Sequence, residues 1–114
     1  MEFVRVEIIT AATKLNGFKK AIAKLGVTGM TVSQVMGCGV QKGTMEYEDE
    51  IHEDIELIPK QMIMMVMEKD KLKKVLDVIK KELYTGHIGD GKIFVYGIDN
   101  VVRVRTGEEG VDAL

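Results

Sequence analysis

Two kinds of hydrophobic period alternate along this chain, and their order confines it to few folds. From Phe3 to Ile9, Val4, Val6 and Ile8 alternate with Arg5 and Glu7, the period of a strand with one buried face. A helical stripe follows in Leu15, Phe18, Ala21 with Ile22, and Leu25, with Thr13 placed to cap it and Gly26 to stop it. Period two returns where Met30, Val32, Gln34 and Met36 alternate with Thr31, Ser33 and Val35, until Gly37-Cys38-Gly39 breaks the run.

The second half repeats the plan. An extended pattern runs from Ile55 to Met67, with the strand proper placed after Pro59, which would remove a ladder bond inside it. Asp70 opens a helix with Leu72, Val75, Leu76, Ile79 and Leu83 on one face and Lys71, Lys73, Lys74, Lys80 and Lys81 around it. Ile93 to Tyr96 form a short strand, and Val101 to Arg105 read as a further extended piece. Strand, helix, strand, strand, helix, strand is the ferredoxin-like α+β sandwich, one sheet with both helices on one face. The other face then needs cover, which a trimer or another oligomer would supply.

The 114 residues have room for one domain, residues 1–114, and exclude a multidomain enzyme. A hydrophobic share of 46% against 30% charged suffices for a core and argues against disorder throughout. The longest apolar run, Met62 to Met67, is far short of the roughly 20 residues of a membrane helix, so no membrane insertion is expected. The single Cys38 forms no internal disulfide, and a cytoplasmic location is the expectation.

Charge is unevenly spread. Between Gly43 and Pro59 stand seven acids and no Lys or Arg, which leaves 16 bases against 11 acids elsewhere. The layout fits a basic body for small anions and an acidic protrusion, roughly Val40 to Asp54, expected to be a long mobile loop; duplex nucleic acid is disfavoured as a partner. An RNA-recognition module shares the element order, yet it needs base-stacking aromatics on central strands, where only Phe94 and Tyr96 are on offer.

The segment Thr85 to Lys92 packs three glycines into eight residues and ends in a cation before an apolar strand. Backbone without side chains can approach phosphate oxygens, and Lys92 adds a point charge. It is not a Walker loop, lacking the Gly-Lys-Ser/Thr ending and the following helix. The alternative reading is a plain Gly-rich turn. Arg103 and Arg105, two apart in an extended stretch, would project from one face and suit a polyphosphate; the alternative is two surface arginines meeting Glu108 and Glu109. His52 and His87 lack the company for a zinc site, Cys38 lacks a base, and no hydrolytic constellation is visible. Catalysis is not expected.

Gly29-Met30-Thr31-Val32, Gly37-Cys38-Gly39, Gln41-Lys42-Gly43, Pro59-Lys60, Thr85 to Lys92 and Val102 to Glu108 together closely resemble the PII nitrogen-regulatory signal proteins over nearly the whole chain. The resemblance implies a homotrimer with ATP or ADP in clefts between subunits, 2-oxoglutarate bound beside ATP through magnesium, and a T-loop, here residues 40–54, that controls a target such as an ammonium transporter or an enzyme of nitrogen metabolism. Residues 85–92 would be the phosphate-binding B-loop and 101–114 a C-terminal segment. Carried over by position, Thr31 and the Val66 backbone would hold adenine, and Ile9, Gly37, Cys38, Gly39 and Val40 would line the pocket. Gly89, Asp90, Gly91 and Lys92 would surround the phosphates, with Arg103 and Arg105 reaching them at the subunit boundary. Gln41 resembles the magnesium ligand and by the same resemblance would contact the nucleotide. Lys60 resembles the cation that meets 2-oxoglutarate, assisted by Gly39, Gln41, Lys42 and Gly43.

The departures have consequences of their own. Glu53 stands where many bacterial members carry a uridylylated tyrosine, Ile51 where some cyanobacterial members carry a phosphorylated serine, and Asp49 where relatives place an arginine into an ammonium channel. Neither covalent switch is expected, and Val40 and Met64 replace polar residues near the nucleotide. The alternative within this resemblance is a diverged regulator that senses adenine nucleotides alone and serves a different transporter or enzyme.

Overall fold

The computed structural model describes residues 2–11, 15–38, 57–86 and 89–114. Its elements are β1 (Phe3–Thr10), α1 (Asn16–Lys24), β2 (Thr31–Gly37), β3 (Ile58–Glu68), α2 (Leu72–Leu83) and β4 (Lys92–Ile98), with 3₁₀ turns at Lys69–Lys71 and Gly110–Ala113. The four strands form one sheet in the order β2-β3-β1-β4, every neighbouring pair antiparallel. This is the ferredoxin-like α+β arrangement that the order of periods predicts.

Alternation in β1 does the main work. Val4, Val6 and Ile8 are buried, as are Met67, Met65 and Ile63, their cross-strand partners on β3. Phe18 and Ile22 of α1 and Val75, Ile79 and Leu83 of α2, spaced by four, close over them. Each such side chain contributes about 1.5–3 kcal/mol by leaving water. The opposite face, carrying Ile9, Met62, Met64, Phe94 and Tyr96, has no helix on it among the described residues, and Phe94 and Tyr96 remain 42% and 45% exposed. At its centre an Arg5–Glu7 ion pair spans 2.8 Å, with the Arg5 guanidinium 5.7 Å from the Tyr96 ring centroid.

Several boundaries differ from the sequence reading. Helix α1 begins at Asn16 after Leu15, without a side-chain cap; Thr13 lies outside the described residues. Its end is as expected: Gly26 takes φ +82° and its N–H donates to the Ala23 carbonyl. Asp70 sits in a 3₁₀ turn and α2 starts at Leu72. Pro59 lies within β3, opposite Met36 of β2; on its other side β1 has already ended at Thr10, opposite Gln61, so no ladder is interrupted there.

Candidate functional site

The register sorts the candidate residues into two groups, one at an end of the sheet and one farther along the strands and across from β4. At one end β1 finishes, β4 and β3 begin and β2 finishes. Ile9 pairs with Lys92 and with Met62, Val35 with Lys60, and Gly37 with Ile58, so Ile9, Gly37, Lys60 and Lys92 share the uncovered face there. Toward the other end lie Thr31, opposite Met64, and Val66, opposite Arg5. Along the strands Thr31 lies two residues and Val66 four residues beyond the Lys92–Ile9–Met62 rung, about 7 and 13 Å, while β2 and β3 lie three and two strands across from β4, about 14 and 10 Å.

The first end is built around the glycine loop. Thr10, fully buried, donates its hydroxyl to the Asp90 carbonyl at 2.9 Å, and the Ala11 N–H donates to the Gly89 carbonyl at 3.3 Å. The described peptides are trans, so each N–H opposes the carbonyl of the same unit and the Asp90 and Gly91 N–H groups face away from β1. Gly89 and Gly91 hold this course at φ +101° and +103°. The Asp90 carboxylate is turned inward: it accepts from the Thr85 N–H at 2.9 Å, the Gly86 N–H at 3.1 Å and the Thr85 hydroxyl. A carboxylate facing an anion would repel it; here it staples the loop and leaves backbone and the exposed Lys92 to present positive charge. Nearby, the stem of Lys60 passes over Gly37, close enough that a Cβ there would stand 3.1 Å from its Cδ.

The second end is an open cleft of about 430 Å³ between the Gly26–Thr31 segment, Met64–Glu68 and the C-terminal residues Val111, Ala113 and Leu114, with Lys71 on its rim. Thr31 and Val66 both line it. Arg103 is tied to the same place, donating from Nη2 to the Leu114 main-chain oxygen at 3.1 Å. Val101 to Arg105 is not a strand. Val102 makes an isolated bridge to Glu109, the Arg103 N–H donates to the Glu108 carbonyl and the Gly107 N–H to the Arg103 carbonyl, both at 2.8 Å. The apparent alternation is thus folded back on itself, with Gly107 at φ +73°. Arg103 and Arg105 therefore project from a tight turn, Arg103 half-buried and facing Glu108 at 3.6 Å, Arg105 exposed.

Lys92 and the arginines do not converge within one chain. The C-terminal residues of the cleft were beyond sequence reasoning, because nothing in their pattern places Val111 to Leu114 beside Thr31. Gly39, Val40, Gln41, Lys42 and Gly43, and the loop 40–54 as a whole, lie outside the described residues; Cys38 is exposed beside them. Among the described residues no cluster of three or more His, Cys, Asp or Glu could hold a metal ion.

A family model, "Nitrogen regulatory protein P-II", matches residues 3–108. The chain belongs to this family. The P-II protein of Azospirillum brasilense is 39% identical over 110 residues, 96% of this chain and 98% of that one. The GlnK–ATP complex of B. subtilis superposes with a TM-score of 0.83 at 38% identity, covering 99% of this chain and 98% of that one. A PII from Arabidopsis thaliana bound to citrate gives 0.80 at 35%, covering 99% and 92%. The chain is accordingly a nitrogen regulatory signal protein of the P-II type with the ferredoxin-like fold, and among the described residues no helix is long and apolar enough to cross a membrane.

Proposed function

We propose that this P-II protein binds ATP and ADP between two copies of itself, the base in the Thr31–Val66 cleft of one and the phosphates on the Gly89–Lys92 loop of the next. The observation that carries this reading is the division of the two half-sites across the sheet, the base cleft on β2 and β3 and the phosphate loop on β4, with β1 between them. By register the cleft and the loop stand roughly 16 Å apart across the sheet, and the cavity of about 270 Å³ beside Asp90, Gly91 and Lys92 is lined by Ile79, Leu83 and Tyr84 and includes neither Thr31 nor Val66. Arg103 and Arg105 then join the phosphates from the base-holding copy. The uncovered face with Met62, Met64, Phe94 and Tyr96 supplies the apolar surface for assembly, read here as a trimer.

Lys60 would meet the carboxylates of 2-oxoglutarate, a role supported by its sharing the open face with Lys92. A dianion beside a triphosphate requires compensation, which Lys60 and magnesium held through Gln41 would provide. The donor set fits an anion site: cations and backbone N–H groups, with the one carboxylate of the loop turned away. Binding energy would bias the residue 40–54 loop toward one of its protein partners, an ammonium transporter or an enzyme of nitrogen metabolism, so the output is association in the cytoplasm and not catalysis. Titration calorimetry of the purified protein with ATP, alongside sedimentation, tests this: saturable binding at one site per protomer in a trimer is expected, and no binding of ATP or ADP would sink it.

A further inference from the structure

Arg103 already has partners inside its own chain, and they are arranged as a strap. Its Nη2 donates to the Leu114 main-chain oxygen and its Nη1 faces the Glu108 carboxylate at 3.6 Å. Leu114, Ala113 and Val111 form one wall of the cleft that Thr31 and Val66 line. The segment between is a four-residue 3₁₀ turn, Gly110–Ala113, hinged at Gly107 and Gly110, both at positive φ. Of its residues none is buried, and one backbone bond, the Gly110 N–H to the Val101 carbonyl at 3.0 Å, fastens its start. The guanidinium is therefore a principal anchor of the far end.

We infer that Arg103 exchanges its hold on the C-terminal strap for a polyphosphate, so that anion binding detaches residues 110–114 from the cleft, and that Glu108 is the positioning residue that sets the balance. This rests on the nucleotide reading above. A guanidinium has five N–H donors in a fixed fork, and a phosphate oxygen pair claims the same Nη edge that now serves Leu114 and Glu108. Both sets of contacts cannot be made in full, so nucleotide and strap compete for one cation. The strap is thus a built-in brake on binding, and its release is a signal of phosphate occupancy that does not involve the 40–54 loop.

The experiment uses the whole protein and two readouts. Hydrogen exchange of residues 110–114 is followed with inorganic tripolyphosphate, which carries the charge but no base to cover the cleft; exchange there is expected to quicken on binding. Glu108→Gln, a near-isosteric change at a half-exposed site, is expected to quicken the same amides without ligand and to tighten ATP about two- to five-fold, the strength of one exposed ion pair. Binding of tripolyphosphate with unchanged or slower exchange, or E108Q affinity no better than that of the wild type, overturns the strap. A wild-type protein that binds neither ATP nor tripolyphosphate overturns instead the nucleotide reading on which it stands.

Discussion

Gly91 lies directly on the end of β1: a Cβ at its position would stand 1.9 Å from the Ile9 carbonyl oxygen, and its φ is +103°. The phosphate loop and the first strand are therefore fitted backbone to backbone, with no room for any side chain between them.

Gly91→Ala is expected to destabilise the protein by about 1–3 kcal/mol, since it adds a backbone clash to left-handed strain. Gly89→Ala meets no atom within 4 Å and carries only the strain, about 1 kcal/mol. Denaturant unfolding of both variants checks the difference; equal losses would show that the contact with Ile9 is unimportant.

Asp90→Ala removes a negative charge from a site read as anion-binding, yet affinity for ATP is expected to fall. The carboxylate holds the Thr85 and Gly86 amides, and without it the loop loses its shape at a cost of about 1 kcal/mol per hydrogen bond. Calorimetry with ATP, paired with hydrogen exchange at Thr85 and Gly86, measures both effects. Tighter binding in D90A would mean that Coulomb repulsion outweighs loop order.

Lys60→Ala is expected to leave ATP binding intact and to abolish the enhancement of 2-oxoglutarate binding by magnesium and ATP. Lys60 shares the open face with Lys92 but is placed a strand away from the loop. Equal effector affinity in K60A and the wild type refutes the assignment.

Met62→Glu places a charge in the middle of the uncovered sheet face, beside Ile9 and opposite Ser33. The protomer should fold, because that side chain faces away from the core, but assembly and ATP binding should be lost together. Sedimentation and calorimetry on one sample decide it: a monomer that still binds ATP tightly would show that the half-sites do not need each other.

The residues legible in advance were those whose meaning is local. Gly89, Gly91 and Lys92 announce a side-chain-free loop with a cation by composition alone, and Val4, Val6 and Ile8 announce a buried face by period alone. Val101 to Arg105 has the same period two as a strand yet forms a turn, because alternation says nothing about whether a partner strand exists. Its fold-back depends on Gly107 and on the bridge from Val102 to Glu109. Asp90 looked like a phosphate neighbour, and only its contacts show the carboxylate turned to Thr85 and Gly86.

By itself the order of amino acids determined the succession of strands and helices, the buried faces, and the kinds of group available to hold an anion, since these follow from side-chain period and chemistry along a few neighbouring residues. Where those groups stand relative to one another was decided by strand order and register, which join residues far apart in the chain. That is why Lys92 falls beside Ile9 while Arg103 falls beside Leu114, at the cleft that Thr31 and Val66 line.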